Sequence, residues 1–342
     1  MSQETSGASE MALVSVVIPC HNAEKWVAEA VDSCLNQTYQ PIEIIVVDDG
    51  STDDSMSRLV TYGDRIRLVT DSNHGGCHAR NLGFSLSRGE YIQFLDADDY
   101  LLPEKIEKQV AFLDRSGADV VYGDWRHRYH SPDGSSHLGD VEVSGQQTDV
   151  LRSLLSGWWV APAAILWRRW IVTASGGWDD ALTAAQDRDF FITASLQGAD
   201  IRYQPGCHSV YRRYGNVTVS TSNRPRWLEN HQRVLEKAEA SLLEAGRSAP
   251  RYRRALATSY FSLARNYHDL DRSTYLRLLE RVLLLDPDFE PKESWFYNTA
   301  WRLLGFAAAD RLASCKRRLY RLADAVLGRV MSLVADSRGS RE

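Results

Sequence analysis

The segment YIQFLDADDYLLP, residues 91–103, places three carboxylates directly after a short apolar run. Asp96, Asp98 and Asp99 stand so close together that their like charges oppose ionisation unless a cation lies among them. Carboxylates at alternate positions in a polar loop offer the hard oxygen ligands that Mg²⁺ and Mn²⁺ prefer, and such an ion can carry a phosphorylated substrate. A solvated turn that caps the next helix is the alternative. The residues alone leave both interpretations open.

Two further polar clusters follow apolar runs in the same way. The three clusters are Pro19-Cys20-His21-Asn22 after residues 13–18, Asp48-Asp49-Gly50-Ser51 after residues 42–47, and Asp96-Ala97-Asp98-Asp99 after residues 91–95. In open parallel sheets, ligands bind beyond the carboxyl ends of the strands. A helix cap would explain Asp48 or Asp49 but not both. Three clusters at one edge of a sheet therefore predict a binding site there.

The elements that must position these clusters are indicated by an alternation of β-branched runs and amphipathic stretches, which is typical of parallel βαβ units. Strands are predicted at 13–18, 42–47, 65–69, 91–95 and 119–122. Asn22 is placed to cap the first helix, and Ser51 with Asp54 resembles a capping box for the second. Pro103 is expected in the first turn of the helix that follows Asp99.

The chain changes character after this alternating part. Residues 123–224 lose the alternation and carry tryptophans that serve either as core or as sugar-stacking platforms, namely Trp125, Trp158, Trp159, Trp167, Trp170 and Trp178. From residue 225 the pattern is almost entirely helical. The predicted organisation is a disordered tail at 1–12, a domain at 13–224 with halves 13–122 and 123–224, and a helical region at 225–342.

Composition excludes several functional classes. The chain has 342 residues with 40 Lys and Arg against 45 Asp and Glu, which argues against a general nucleic-acid binder. Its five cysteines are scattered without a CxxC pair, so neither a disulfide framework nor a zinc site is indicated. The first dozen residues lack the basic start and apolar core of a secretory signal. These features favour a cytoplasmic protein.

The C-terminal tail has two interpretations. Its apolar stripe consists of Leu312, Cys315, Leu319, Leu322, Val326, Leu327, Val330, Leu333 and Val334. Basic residues crowd between 311 and 329, where Asp324 is the one acidic residue. An amphipathic helix at 311–334 could lie on an anionic membrane surface as a peripheral contact on its inner face. A helix that packs on the protein's own core with a solvated basic face is the equal alternative.

The motifs taken together resemble those of the inverting family 2 glycosyltransferases with the GT-A fold. The matching stretches are VSVVIPCHNAEKWVAEAVDSCLNQTYQPIEIIVVDDGSTDDS, NHGGCHARNLGFSLSRGEYIQFLDADDYLLPEKI and GGWDDALTAAQDRDF, in the order and spacing of that family. The resemblance implies an α/β Rossmann-like fold, with a mostly parallel central sheet flanked by helices, and a helical C-terminal region. It also implies sugar transfer from a nucleotide-sugar donor, with a UDP-sugar expected, to a hydroxyl of a glycan or lipid-linked glycan.

This resemblance assigns nucleotide-binding roles to residues at the predicted edge. It implies that Pro19, His21 and Asn22 surround the uracil. It further implies that Asp49 accepts the uracil imide hydrogen with Asp48 in support. Arg80, in the stretch ARNLG, is expected near the uracil and the phosphates.

A divalent metal, Mn²⁺ or Mg²⁺, is the implied cofactor. Asp96 and Asp98 match the family's DxD motif, whose carboxylates hold a metal that bridges the nucleotide diphosphate. Such an ion would neutralise the crowded carboxylates and stabilise charge on the departing diphosphate. Asp98, which also counts among the nucleotide-binding residues, is expected to make the more direct contact. Asp99 is expected to cap the next helix.

The catalytic base is also implied by the resemblance. Attack by an acceptor hydroxyl requires its proton to leave as the new bond forms. The family's base is the Asp of an ED motif, and the corresponding residue here is Asp187, preceded by Gln186 in place of the usual Glu. An Asp187 that merely caps a helix beginning near residue 190 is the structural alternative, and Asp189, Asp179 and Asp180 are the next candidate bases.

Two departures from the family pattern keep alternatives open. His21 stands where the family often has Tyr, so a dTDP- or GDP-sugar donor is the runner-up to a UDP-sugar. Tyr214 stands where many relatives carry a histidine near the metal, so no protein ligand is expected beyond the aspartates. From a different class, the chain could be an inactive scaffold that binds partners through its helical C-terminus.

Overall fold

In the residues that the computed structural model describes, 11–214 and 223–315, nine strands form one mixed sheet. The strands are β1 (Val14–Cys20), β2 (Ile42–Asp49), β3 (Arg67–Asp71), β4 (Tyr91–Phe94), β5 (Tyr100–Leu101), β6 (Val120–His130), β7 (Ser136–Glu142), β8 (Ile165–Arg168) and β9 (Ile201–Tyr214). Their order across the sheet is β3-β2-β1-β4-β8-β6-β9-β5, and β7 pairs with β6. Strands form at all five positions predicted from the sequence.

The two sides of the sheet differ in strand direction. β3, β2, β1 and β4 run parallel, and their carboxyl ends therefore meet at one edge. β8 is antiparallel to both β4 and β6, whereas β6 and β9 are parallel to each other. The β-branched residues of β1 are buried because this strand lies between two neighbours and is covered on both faces, as is usual for parallel strands.

Helices flank the sheet and form the C-terminal part of the described chain. They are α1 (Val27–Leu35), α2 (Ser55–Val60), α3 (Gly76–Leu86), α4 (Lys105–Ser116), α5 (Val150–Leu155), α6 (Arg169–Ala174), α7 (Gln186–Leu196), α8 (Arg224–Glu244), α9 (Pro250–Tyr267), α10 (Arg272–Leu285) and α11 (Trp295–Leu304). The predicted fold class, a mostly parallel α/β sheet with a helical C-terminal region, is confirmed. No helix in the described residues combines the length and apolar character needed to cross a membrane.

The helix starts expected from the sequence are wrong in four places, of which one is Pro103: it precedes Glu104, the N-cap residue of α4, and so lies outside the first turn. Asn22 does not cap α1, since its side-chain oxygen accepts a hydrogen bond from the Thr52 amide at 2.8 Å and Trp26 occupies the N-cap. Its backbone is left-handed, with φ of 51°, which an asparagine tolerates better than most residues. The side chain thus joins two loops rather than starting a helix.

The capping box and the cap of α4 are likewise absent. Asp54 is the N-cap residue of α2 without a side-chain cap, and Asp53 accepts from the Ser55 amide instead at 3.0 Å. Asp99 lies well before Lys105, where α4 begins, and its Oδ1 accepts from the Arg212 amide at 2.8 Å. Ser51 and Asp99 instead accept hydrogen bonds from backbone amides that are distant along the chain, those of Asn22 and Arg212.

The described chain divides into two compact units, with the division at Ser259 and Tyr260. The predicted domain boundary at 224/225 lies earlier in the sequence than this division, and α8 belongs to the first unit. The predicted boundary stays a prediction. The second unit includes α10 and α11, and residues 306–315 are also helical. Residues 1–10 of the predicted tail and residues 316–334 of the predicted amphipathic stripe lie outside the described residues.

A buried polar network lies inside the second unit. The Asp310 carboxylate is buried and accepts hydrogen bonds from the Tyr275 hydroxyl at 2.7 Å and the Tyr297 hydroxyl at 2.9 Å. Arg265 forms an ion pair with the same carboxylate at 3.1 Å. Three donors on one buried carboxylate compensate the cost of removing its charge from water.

Candidate active site

A cleft of about 640 Å³ lies at the edge where the parallel strands end. Residues from all three polar clusters line it together with the N-terminal part of α3 and the segment before α7. Among the residues assigned roles from the sequence, the lining includes Pro19, His21, Asn22, Asp49, Arg80, Asp96 and Asp98. The volume lies within the range of small-molecule and cofactor sites.

One end of the cleft is organised around Asp49, the last residue of β2. Its Oδ1 accepts from the His74 amide at 2.8 Å and its Oδ2 accepts from the Gly75 amide at 2.7 Å. The His21 ring bonds through Nδ1 to the Asp49 carbonyl at 2.9 Å. Gly75 has a φ of 98°, a conformation that favours glycine. Asp49 therefore fixes the loop before α3 while its carboxylate still faces the cleft.

Asp48 lies elsewhere. It is buried and is not among the residues that line the cleft. Its Oδ2 accepts from the Ser51 amide at 3.3 Å, whereas its Oδ1 is buried without a hydrogen-bond partner among the described residues. Successive residues of a strand point to opposite faces, so the neighbour of a cleft residue points away from the cleft.

The opposite end of the cleft is acidic. The ligand atoms of Asp96, Asp98 and Asp99 lie within 4.8 Å of one another. Arg80 donates to Asp96 Oδ1 at 2.5 Å, and its guanidinium carbon lies 4.6 Å from the centre of the buried Trp178 ring. Asp96 therefore has a cationic partner from the protein, held in place by an aromatic face.

Asp98 and Asp99 have less compensation for their charge. Burial, together with the charge of Asp96, raises the pKa of Asp98 to about 6. Burial and the charges of Asp98 and Asp96 raise the pKa of Asp99 well above its usual value. In the described part of the chain, Asp99 Oδ2 is a buried oxygen with no hydrogen-bond partner. An all-oxygen donor set with an uncompensated carboxylate fits a hard divalent cation.

β9 contributes two residues beside this acidic end. The hydroxyl of Tyr214, one of the two departures from the family pattern, donates to Asp98 Oδ2 at 3.1 Å. Arg212 was missed from the sequence, although it lies in the same stretch, VYRRYGNVTVS. Its Nε donates to the Asp98 carbonyl at 2.7 Å and its Nη2 to Glu29 Oε2 at 2.6 Å. Arg212 thereby ties the aspartate loop to α1.

Asp187 lies in the first turn of α7, where Ala185 is the N-cap residue. The helix therefore begins before residue 190, and the Asp187 carboxylate does not cap it. Asp187 Oδ2 accepts a hydrogen bond from the indole nitrogen of Trp159. Asp187 lines a small apolar cavity with Trp159 and Trp178, whereas its neighbour Gln186 lines the cleft and accepts from Arg80 at 3.3 Å. Asp187 thus sits one residue from the cleft lining.

The three rival carboxylates have different surroundings. Lys237 of α8 donates to Asp189 at 2.8 Å and to Asp179 at 3.0 Å, so both are held in ion pairs. Burial raises the pKa of Asp189, and Lys237 works against this shift. Asp180 lines the cleft and accepts from the Asn81 amide group at 3.0 Å. Of the three, Asp180 is the one that faces the cleft.

The segment that carries these carboxylates is held by α8. Besides Lys237, Asn230 accepts from the Thr183 amide at 3.0 Å, and Thr183 lines the cleft. Arg233 donates to the Ala181 carbonyl at 3.3 Å. Neither this role of α8 nor the bond from Trp159 carries a signal in the local sequence, because both partners are distant along the chain.

The comparisons with known proteins agree with this geometry. Residues 15–161 match the family model for glycosyl transferase family 2. The glycosyltransferase GlyG of Streptococcus pneumoniae is 41% identical over 138 residues, which cover 39% of this chain and 44% of that protein. An uncharacterized glycosyltransferase of Haemophilus influenzae is 40% identical over 119 residues, which cover 34% of this chain and 48% of that protein. The matched region thus spans less than half of either relative.

Solved structures share the fold over most of the chain. TarS residues 1–349 of S. aureus, crystallised in complex with UDP-GlcNAc, is 17% identical with a TM-score of 0.66 over 90% of this chain and 92% of that chain. The mannosyltransferase PcManGT of Pyrobaculum calidifontis, in complex with GDP-Man and Mn²⁺, is 18% identical with a TM-score of 0.51 over 92% and 88%. At these identities the likeness concerns the fold. The family match ends before Asp187.

Proposed function

Since the chain belongs to glycosyl transferase family 2 through residues 15–161, we propose that it transfers a sugar from a nucleotide diphosphate, UDP in the first instance, to a hydroxyl of a glycan or lipid-linked glycan. The transfer inverts the anomeric centre and uses a divalent metal. One observation carries the proposal. A single cleft has Asp49 and the His21 loop at one end and the aspartates of the DxD motif at the other.

At the first end, the nucleoside binds between the loop after β1 and the loop before α3. Each carboxylate oxygen of Asp49 already accepts a hydrogen bond from one backbone amide. Each also retains a second lone pair that can accept from the N3–H of uracil. His21 is held by its bond to the Asp49 carbonyl, so its ring is fixed beside the same site. Pro19 and Asn22 complete this wall, and Asp48 supports it from inside the protein.

At the second end, Asp96 and Asp98 would hold Mn²⁺ or Mg²⁺ beside the diphosphate, with Asp99 close enough to take part. The ion supplies Lewis-acid stabilisation of the leaving group when bound. Arg80 places a fixed positive charge next to Asp96, where it also faces the phosphates. Tyr214 orients Asp98 through its hydroxyl. These contacts preorganise the end of the cleft where negative charge develops.

Asp187 acts as the general base. Trp159 holds Asp187 Oδ2 through its indole N–H, and we assign the proton of the acceptor hydroxyl to Oδ1. The acceptor oxygen then attacks the anomeric carbon, the bond from that carbon to the diphosphate breaks, and the diphosphate leaves with the electron pair. Gln186 bonds to Arg80, so α7 keeps the base next to the phosphate end.

The donor is tested by nucleotide release from a panel of UDP-glucose, UDP-galactose, UDP-N-acetylglucosamine, dTDP-glucose and GDP-mannose, each with Mn²⁺ and with Mg²⁺. Slow hydrolysis without acceptor identifies the donor. We expect release of UDP from at least one UDP-sugar. Release from GDP-mannose or dTDP-glucose alone would replace the UDP assignment and keep the reaction class. PcManGT, with GDP-Man bound, has a similar fold at 18% identity, so this arm of the panel matters.

The inactive scaffold is the alternative from a different class. It predicts that no donor is hydrolysed and that no nucleoside diphosphate raises the melting temperature. The cleft lining keeps Asp49, Asp96 and Asp98, which a chain that had lost catalysis would not need together.

We further propose that the protein is cytoplasmic and that residues 311–334 make a peripheral contact with the membrane, where it would meet a lipid-linked acceptor. This contact follows from the sequence pattern, because most of the segment lies outside the described residues. Basic residues with an apolar stripe suit anionic lipid, where a lipid-linked acceptor would be presented. Co-sedimentation with anionic liposomes should fall when 311–342 is deleted. Equal co-sedimentation of both chains rejects the membrane contact without touching the transfer reaction.

A further inference from the structure

A second cluster of metal-binding side chains lies beside the cleft, apart from the three aspartates. It consists of Asp71 at the end of β3, His74 on the following loop, and His78 in the first turn of α3. Their ligand atoms all lie within 4.8 Å of one another. His78 Nε2 is 3.0 Å from Asp71 Oδ2, and His74 Nε2 is 3.8 Å from Asp71 Oδ1.

These distances suit one bound ion. Ligand atoms at bond lengths near 2.1 Å around a single ion lie roughly 3 to 3.5 Å from each other. The pairs formed by Asp71 with each histidine are at or close to this separation, and the two rings have centroids 4.7 Å apart. The histidine side chains are 53% and 36% exposed, so an ion can reach them from solvent.

The donor set distinguishes this cluster from the acidic end of the cleft. Two imidazole nitrogens and one carboxylate oxygen favour Zn²⁺, Co²⁺ and related transition metals. The oxygens of Asp96, Asp98 and Asp99 favour Mg²⁺ and Mn²⁺ instead. We propose that Asp71, His74 and His78 bind one transition-metal ion, at a site separate from the DxD motif.

The backbone holds the ligands in place. Asp71 Oδ1 accepts from the Ser72 amide at 2.8 Å, and the His74 amide donates to Asp49 Oδ1 at 2.8 Å. His78 Nδ1 lies 3.8 Å from Asp180 Oδ2, an outer partner that can orient the ring. Because His74 and Asp180 line the cleft, an ion at this cluster lies next to the nucleotide site. Occupancy of the cluster therefore stiffens the loop that Asp49 also holds.

Cobalt is the probe for the test. The full chain, freed of metal with a chelator and then desalted, is titrated with Co²⁺ while its visible d–d absorption is recorded, and Zn²⁺ is then added as competitor. We expect visible absorption that saturates with one Co²⁺ bound at this cluster and that Zn²⁺ removes, whatever further Co²⁺ the DxD aspartates take up. His74→Gln and His78→Gln each remove a direct ligand and should each weaken Zn²⁺ binding by at least about 100-fold. Loss of a group that only hydrogen-bonds to a ligand already costs up to about 100-fold in metal affinity.

Two control variants define the result. Asp98→Asn, in the other cluster, and His137→Gln, an exposed histidine on β7, should both keep the cobalt spectrum. Circular dichroism checks that each variant is folded, and the exposed position of His74 makes its variant the safer one. The proposal is overturned if the wild-type chain gives no cobalt absorption, if the signal survives both histidine variants, or if Asp98→Asn removes it. None of these readouts depends on sugar transfer.

Discussion

Asp98 lines the cleft, and among the described residues no cationic side chain bonds to its carboxylate, in contrast to Asp96. Its neighbour Asp96 has the Arg80 guanidinium at 2.5 Å, whereas Asp98 Oδ2 accepts from the uncharged Tyr214 hydroxyl at 3.1 Å. The proposed metal role therefore rests on Asp98 more than on Asp96. A substitution that keeps the shape of Asp98 and removes its charge addresses this role directly.

Asp98→Asn should lower turnover by at least about 100-fold, the scale on which loss of one preorganised electrostatic contact acts. Mn²⁺ affinity, measured by electron paramagnetic resonance of the free ion, should fall in parallel because one anionic ligand is lost. Asp133→Asn, in the exposed turn between β6 and β7, is the matched control and should leave both values unchanged. Full turnover of the wild-type chain in excess chelator would reject the metal role.

Asp187→Asn separates chemistry from donor binding. It keeps the size of the side chain and removes the basic lone pair, so the transfer step should slow by about 10²–10⁴-fold, the usual contribution of general-base catalysis. The affinity for UDP, measured by calorimetry, should change little because the nucleotide contacts proposed here lie on other loops. A large loss of UDP affinity or of the folded state would mean that Asp187 is structural.

The rival carboxylates provide the comparison for Asp187. Asp180→Asn tests the one rival that lines the cleft, and near-normal transfer by Asp187→Asn with a slow Asp180→Asn would move the base to Asp180. Asp189→Asn leaves Lys237 with one partner fewer, so it should lower the melting temperature more than the rate per folded molecule. The transfer rates of Asp187→Asn and Asp180→Asn and the melting temperature of Asp189→Asn thus distinguish the three carboxylates.

The sequence predicted cleft residues where a strand end determines their position. Asp49 ends β2, and Asp96 and Asp98 come soon after β4. Because the carboxyl ends of parallel strands lie at one edge of the sheet, the strand assignments alone predict that these residues are near one another. The residue pattern alone did not distinguish Asp48 from Asp49, because that choice depends on which face of β2 turns toward the cleft, and only the family resemblance assigned the base contact to Asp49. Arg212 and Trp159 come from β9 and from the loop after α5, and such contacts between distant segments leave no local pattern.

At the scale of the elements, α4 begins with a buried lysine. Lys105 is fully buried, and its ammonium group bonds to the Gln93 side chain and to the Ile165 carbonyl at 3.2 Å. Burial lowers the pKa of Lys105 well below its usual value. Between that lowered pKa and the ordinary value of about 10.4, the unfolded chain binds a proton that the folded chain does not. The contribution of Lys105 to stability therefore rises with pH in this window.

Lys105→Met should remove this pH dependence. The free energy of unfolding of the variant minus that of the wild type should fall from pH 7 to pH 9.5, with a limiting slope of about 1.4 kcal/mol per pH unit. Urea unfolding at several pH values measures it. Lys108→Met, at an exposed position of the same helix paired with Glu104 at 2.6 Å, is the control and should run parallel to the wild type. Parallel curves for Lys105→Met would show that the lysine keeps an ordinary pKa.

The elements themselves were predictable in unequal measure. The parallel strands β1 to β4 were found because continuous β-branched runs between helical patterns have few other interpretations. Helix starts failed at Asn22, Ser51 and Asp99 because a polar side chain near a helix can bond to another loop instead. β8 and β9 were not predicted, because β8 has only four residues and β9 mixes polar and apolar residues along its length.

At the scale of the whole molecule, the second unit depends on a polar centre as well as on apolar packing. Asp310→Ala leaves Arg265 without its buried partner and frees two tyrosine hydroxyls. Breaking a buried ion pair from one side typically costs about 3–5 kcal/mol. Hydrogen exchange measured by mass spectrometry should therefore speed up in α10 and α11. Asp288→Ala, at an exposed site of the same unit, should leave exchange unchanged, and unchanged exchange in Asp310→Ala would refute the role of the network.

The bonds from α8 to the segment 179–189 limit where the C-terminal part of such a chain can be exchanged for that of another protein. A crossover at 224/225 that brought in a foreign helix would leave Asp189, whose side chain is 6% exposed, without the ammonium group of Lys237. An uncompensated buried carboxylate is costly, so selection would remove most such hybrids. α8 and the loop that carries the proposed base should therefore be inherited as one block, and exchange of C-terminal modules should occur beyond Ser259, where the first unit ends.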